Sequence, residues 1–241
     1  MNLNPFLLEP YSVHLWYVVL PELFSHVEAL SLLLSVEELQ RAERLHFKLH
    51  RDRYIVARAV LRQILSLYTQ IAPEKILFKQ GEKGKPYLQL NPLHIQFNTS
   101  HSHDLAVYAI TTHAEIGVDI EKVENKKSNE AVAKRFYSDV EYAELMHLAE
   151  SERISAFYRI WSAKEALIKA LGQGLYSPLS AFSVDFQKVE QTVVLSHDYR
   201  EHHYHVNYFS VDPAYQAAFA VEQVVLTTRH WQWTETGFEL R

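Results

Sequence analysis

Two short acidic motifs carry residue types and spacings that could do chemistry: Gly117-Val118-Asp119-Ile120-Glu121 and Trp161-Ser162-Ala163-Lys164-Glu165-Ala166-Leu167-Ile168-Lys169. In the first, carboxylates at i and i+2 follow an apolar run, so on a strand both project from one face. In the second, Glu165 and Lys169 lie at i and i+4, which stacks them one turn apart on a helix. Three carboxylates converging from a strand end and a helix suit an oxygen-loving ion such as Mg²⁺, and nearby lysines suit phosphate oxygens. The predicted chemistry is transfer of a phosphorus-containing group.

Each motif alone has a plainer reading. A lone D-x-E is usually the wet face of an edge strand, and an E-x-x-x-K pair is usually an exposed ion pair of little consequence. The joint context favours chemistry. Trp161, Glu165 and Lys169 share one helix face, while Ala156, Ile160, Ala163 and Leu167 form a separate apolar stripe that can do the packing. Asn98-Thr99-Ser100-His101-Ser102 reads as a turn after a short strand, with hydroxyl, amide and imidazole groups able to hold phosphate. There is no G-x-S-x-G nucleophile elbow, P-loop or G-x-G-x-x-G fingerprint.

The elements that must position these residues follow from pattern. Residues 11–20, rich in aromatic and β-branched types and closed by Pro21, read as a strand. Ser35-Val36-Glu37-Glu38 is a capping box opening a helix to about 45, and a second helix runs from about 51 to 68. Strands are expected at 95–97, 105–110 and 116–121. After a polar joint at 125–129 the order of elements repeats. Ser138-Asp139-Val140-Glu141 is another capping box, opening a helix to about 149. A longer helix spans about 152–171, ending at Gly172 and Gly174, and strands are expected at 182–186, 193–195, 204–209 and 217–226. The fold class is therefore α+β, with an N-terminal half at 1–124 and a C-terminal half at 125–241 that can pack as a pseudo-dimer.

Composition narrows the class of protein. The 241 residues are 48% hydrophobic, enough for a substantial core, and with no cysteine thiolate chemistry is excluded. The net charge of −5 argues against a bulk nucleic-acid binder. No apolar run of about 18 residues offers a membrane span, and no leader-like N-terminus is seen, so a cytoplasmic location is expected. The charge is uneven: Arg41, Arg44, Lys48, Arg51, Arg53, Arg58 and Arg62 stand against only Glu43 and Asp52 between 41 and 62. Such a patch can hold a multiply phosphorylated ligand, or it can be a solvated helix face.

Together these residues resemble the 4′-phosphopantetheinyl transferases. The resemblance rests on G-V-D-I-E at 117–121, W-S-x-K-E-A-x-x-K at 161–169 and its continuation through Gly172, Gly174 and Leu175. The N-T-S-H-S segment at 98–102, Gly84-Lys85-Pro86 and Phe136-x-x-x-x-Glu141 also fit. Length and the two-half plan resemble the long, single-chain class. The resemblance implies transfer of the phosphopantetheine arm of coenzyme A to a serine of an acyl, peptidyl or aryl carrier protein, by a monomer. It makes Asp119, Glu121 and Glu165 ligands of Mg²⁺, with Mn²⁺ as an alternative ion. Lys164 and Lys169 would bind the pyrophosphate, and Glu165 would act as base. Lys85, Ser100 and His101 would meet the coenzyme A phosphates, and Arg44, Lys48, Arg53 and Tyr54 would hold the 3′-phosphate of its adenosine. The helix at 138–149, the loop at 122–128 and the side chains of Phe136, Tyr137 and Met146 are candidate carrier contacts. A catalytically silent module binding coenzyme A or a carrier is the alternative from another class.

Overall fold

The computed structural model describes residues 6–81, 84–126, 129–172, 179–197 and 200–241. Its element order is β1 (Ser12–Val19), α1 (Val27–Ser31), α2 (Val36–Glu43), α3 (Lys48–Thr69), β2 (Phe78–Gln80), β3 (Pro86–Leu88), β4 (Ile95–Ser102), β5 (Leu105–Thr112) and β6 (Ile116–Lys122). The chain continues through α4 (Asn129–Phe136), α5 (Asp139–His147), α6 (Glu150–Leu171), β7 (Glu190–His197), β8 (Arg200–Phe209), β9 (Tyr215–Val221), β10 (Thr227–Thr234) and β11 (Gly237–Leu240). This is the α+β class that the sequence implies. No helix among the described residues is long and apolar enough to cross a membrane.

Two sheets lie face to face between two long helices. The first has the order β11-β10-β1-β5-β4 and the second β6-β9-β8-β7, with β2 and β3 forming a small ribbon apart. Strand periodicity decides which residues face which layer. Trp16 and Val18 pack toward α3 with Val56, Val60 and Ile64, whereas Val13 and Leu15 pack between the sheets against Val118, Ile120 and Phe219. On the far side of the second sheet, Ala218 and Ala220 meet Ala156, Ile160, Ala163 and Leu167 of α6, the apolar stripe anticipated on that helix. Both anticipated capping boxes form, Ser35 with Glu38 and Ser138 with Glu141.

Several expected elements differ. Asn98–Ser102, read as a turn, continues β4 to Ser102. Its polar composition suits a strand whose side chains reach a neighbouring strand instead of water. Residues 182–186 are not a strand, and the expected strand at 217–226 ends at Val221. The chain then starts β10, which pairs in parallel with β1, while β6 pairs with β9. Strands thus cross the expected division at 124/125 in both directions. Helices α1 and α4 and strands β10 and β11 had no anticipated counterpart. Gly174, Leu175 and residues 127–128 lie outside the described residues.

Candidate functional site

The alternation of β6 sends Ile116, Val118 and Ile120 into the core between the sheets and leaves Gly117, Asp119 and Glu121 on the side of α6. Gly117 makes that approach close. A Cβ there would lie 2.0 Å from the Ala166 carbonyl oxygen and 2.4 Å from the Ala170 nitrogen, so strand and helix touch backbone to backbone over residues 166–170, the turn that carries Lys169 and follows Glu165. The two acidic motifs of the sequence therefore meet through a glycine contact.

Lys169 Nζ donates to Asp119 Oδ1 at 2.7 Å, to Ser100 Oγ at 3.0 Å and to the Val118 carbonyl at 3.1 Å. The Ser100 hydroxyl in turn donates to Asp119 Oδ1 at 2.8 Å. Ser102 Oγ donates to Glu121 Oε2 at 3.0 Å and accepts from the Lys122 backbone N–H at 3.1 Å. Asn98 Oδ1 accepts from the Val118 N–H at 3.0 Å. Alternate side chains of β4 thus bridge to β6, although the two strands belong to different sheets.

The carboxylates are electrostatically uncomfortable. Burial, and next the negative charge of Asp119, push the Glu121 pKa up to about 7. Burial and then Asp119 also raise that of Glu165, with Lys169 pulling the other way. Asp119 Oδ2 is buried without a hydrogen-bond partner. Among the described residues no three histidine or carboxylate groups form a ready-made metal cage. The donor chemistry nevertheless fits a hard cation: all-oxygen, mutually repelling, with one buried lone-pair site unused. A cation would need further oxygens from water or a bound ligand, as Mg²⁺ ordinarily does.

Two cavities adjoin this cluster. One of about 650 Å³ is lined by Arg41, Tyr54, Arg58, Phe78, Ser100 and His101, among others. A second of about 510 Å³ is lined by Arg41, His50, Arg53, Tyr54, His101 and Ser102, with Leu45 and His103. They share Arg41, Tyr54 and His101, so the imidazole stands where both meet the β4 edge. Its pKa is lowered by desolvation and then by the positive charges of Lys169 and Arg53. Arg41 lies over the Tyr54 ring at 5.7 Å, and Arg58 lies over Phe78 at 4.7 Å.

The structure brings Asp119, Glu121, Glu165, Lys169, Ser100 and His101 to one place and sets Tyr54 and Arg53 beside it. Arg53 is held by Asp104 at 2.5 Å, Lys48 pairs with Asp52 at 2.5 Å and is largely exposed, and Arg44 is an exposed helix C-cap residue. Neither Lys48 nor Arg44 lines either of these two cavities.

Two expected phosphate ligands are corrected. Lys164 is 0% exposed and directs Nζ to Glu141 Oε2 at 2.7 Å and to the Leu179 and Phe182 carbonyls at 2.6 and 2.7 Å. Unlike the partly exposed Lys169, its ammonium is fully enclosed and ion-paired with Glu141, so no phosphate reaches it. Lys85 is likewise buried and spends its donors on Glu115 at 2.6 Å, the Ile116 carbonyl at 2.9 Å and the Ala170 carbonyl at 3.4 Å. Its neighbours Gly84 and Pro86 line the larger cavity, but Lys85 does not. Tyr137, a candidate carrier contact, is core: its hydroxyl donates to the Phe157 carbonyl at 2.6 Å. Sequence reasoning missed Arg41, Arg58, Phe78 and Ser102 as lining residues. Arg41 and Arg58 were visible only as members of the basic stretch, and Ser102 only as the end of the N-T-S-H-S segment.

Carboxylates, a lysine and a hydroxyl gathered beside arginine-lined cavities are groups suited to phosphoryl-type transfer, and comparison with known proteins gives the family. Residues 115–221 match the 4′-phosphopantetheinyl transferase superfamily, and residues 21–113 match the N-terminal region described as 4′-phosphopantetheinyl transferase, N-terminal. Relatives include the 4′-phosphopantetheinyl transferase HetI of Nostoc sp., 37% identical over 68% of this chain and 70% of its own. The 4′-phosphopantetheinyl transferase psf-1 of Bacillus pumilus is 33% identical over 80% of each chain. The 4′-phosphopantetheinyl transferase Sfp of Bacillus subtilis is 33% identical over 77% of this chain and 80% of its own. The chain belongs to the 4′-phosphopantetheinyl transferase superfamily, whose members transfer phosphopantetheine to carrier proteins.

Proposed function

We propose that the chain moves the 4′-phosphopantetheine arm of coenzyme A onto a serine of an apo carrier protein, using Asp119, Glu121 and Glu165 to hold Mg²⁺. The serine oxygen forms a bond to the phosphorus bearing the pantetheine arm. The bond from that phosphorus to the bridging oxygen breaks, and adenosine 3′,5′-bisphosphate leaves with the electron pair. When bound, the cation supplies charge neutralisation for the pyrophosphate.

The remaining work falls to side chains. Lys169, partly exposed and fixed by Asp119 and Ser100, offers positive charge to the leaving phosphate. Glu165 takes the serine proton, directly or through a water molecule. Ser100 and His101 face the phosphates at the cavity mouth. Arg41, Arg53, Tyr54 and Arg58 hold the nucleotide end, and the exposed Arg44 and Lys48 add positive charge to this face from outside the cavity linings. The carrier approaches along α5. We read the enzyme as a cytoplasmic monomer, since one chain supplies both sides of the site.

The observation that carries this reading is the Lys169–Asp119–Ser100 junction, where helix, second sheet and first sheet meet beside two basic cavities. The test is intact mass spectrometry of an apo carrier incubated with the protein, coenzyme A and Mg²⁺, with an EDTA control. A metal-dependent gain of the phosphopantetheine mass is expected. No gain across acyl and peptidyl carriers, with coenzyme A still bound, would instead favour a silent binding module.

A further inference from the structure

We propose that Ser102 is a positioning residue for the reaction: its hydroxyl fixes the Glu121 carboxylate so that it can share a cation with Asp119. The proposal rests on the metal reading above. Strands β4 and β6 are neighbours at the edges of two different sheets, with no backbone ladder between them. Alternate β4 side chains do the joining, and each makes a different contact. Asn98 caps the Val118 N–H, Ser100 reaches Asp119, and Ser102 reaches Glu121.

The direction of the Ser102 bond follows from donor accounting. The Lys122 backbone N–H points into Ser102 Oγ at 3.1 Å, and an N–H can only donate. The single hydroxyl proton is thereby turned toward Glu121 Oε2, 3.0 Å away. Ser102 is only 8% exposed, so water does not readily replace that donor. Without it, Glu121 has a free rotamer choice next to the like charge of Asp119, and repulsion would swing it outward. Ser100 cannot take over, because its proton goes to Asp119 Oδ1 while its lone pair receives Lys169. Groups that orient a metal-binding carboxylate in this way typically govern about 10–100-fold in metal affinity.

The test uses Mn²⁺ as the probe, titrated into the full-length protein and read as loss of the free-ion electron paramagnetic resonance signal, with thermal unfolding to establish the fold. Ser102→Ala is expected to bind Mn²⁺ about 10–100-fold more weakly. Ser102→Thr, which keeps the hydroxyl, is expected to stay near wild type. In a Glu121→Ala background, Ser102→Ala should cause no further loss, because the group it positions is gone. Unchanged affinity in Ser102→Ala would overturn the proposal. So would an equal additional loss in the Glu121→Ala background, which would mean the serine acts through the Lys122 N–H alone. Failure of the wild-type protein to bind Mn²⁺ would overturn the metal reading and this proposal with it.

Discussion

Gly117→Ala adds one methyl group where the structure has no space for it. Gly117 does not need its glycine for backbone conformation, since its φ lies outside the left-handed region. It needs it for distance. The added carbon would meet the Ala166 carbonyl oxygen at 2.0 Å, the Ala170 nitrogen at 2.4 Å and the Lys169 carbonyl carbon at 2.9 Å. All three are backbone atoms inside a helix, so no rotamer change relieves them. Reaching even 3.0 Å from the carbonyl oxygen requires β6 and α6 to separate by roughly 1 Å, against the tight packing on both sides of the contact. Overpacked cores lose about 1–3 kcal/mol when side chains can adjust; rigid backbone partners put this site at about 3 kcal/mol or more.

The same movement carries Glu165 and Lys169 together away from Asp119. A displacement of about 1 Å can cost on the order of 100-fold in rate. Gly117→Ala is therefore expected to lower the urea midpoint and, in the folded protein, to cut carrier-modification kcat by about two orders of magnitude. Coenzyme A affinity should suffer less, because the cavities are walled mainly by α2, α3 and β4. A Gly117→Ala protein with wild-type midpoint and wild-type kcat would refute the claim that helix and strand touch at this residue.

Two further outcomes follow from buried groups. Lys164→Met strands Glu141 as a buried charge, which should cost about 3–5 kcal/mol in denaturant unfolding. Lys164→Met/Glu141→Gln should be less destabilised than the two single variants added together. Near-normal stability of Lys164→Met with tenfold weaker coenzyme A binding would instead return Lys164 to the phosphates. His14 is fully buried, with Nδ1 on the Tyr68 hydroxyl at 2.8 Å, and burial followed by the Arg229 charge lowers its pKa from 6.5 to about 4. Its neutral form is favoured in the fold, so the associated stability is present above pH 6.5 and is lost as pH falls toward 4. At about 1.4 kcal/mol per unit this is about 3 kcal/mol. His14→Phe should flatten the stability profile between those limits, and a profile parallel to wild type would rule out His14 as its source.

How much of this was legible in the sequence depends on the range of the interactions. Helix starts at Ser35 and Ser138 were readable because a capping box lies within four residues. The alternation in G-V-D-I-E correctly put Asp119 and Glu121 on one face, and the apolar stripe of α6 was readable for the same local reason. The turn expected at Asn98–Ser102 became strand because its polar side chains are satisfied by β6, some 20 residues away in sequence. Thr227–Thr234 was not anticipated because it pairs with β1 from the opposite end of the chain, a contact no local pattern records. Lys164 illustrates the limit for site residues. Motif spacing fixes position along a helix, but only the packing of α5 and residues 179–184 reveals that this lysine is enclosed.

Adjacent residues of α6 consequently do opposite things. Lys164 points into a sealed network that ties the helix to the α5 capping box, since Glu141 also accepts the Ser138 and Val184 N–H groups. Glu165, one position on, faces the carboxylates. β6 divides in the same way: Val118 and Ile120 are core, while Asp119 and Glu121 lie on the other face, where burial and the neighbouring Asp119 disfavour the charge of Glu121. Each strained carboxylate is thus covalently next to a side chain whose burial fixes the backbone. Repulsion among the acids can then be relieved by binding positive charge more readily than by moving the strand, because moving it would open the sheet-to-sheet core. That coupling of an over-determined backbone to an undersatisfied face is what the proposed cation site requires, since it keeps the carboxylates together without unfolding the strand.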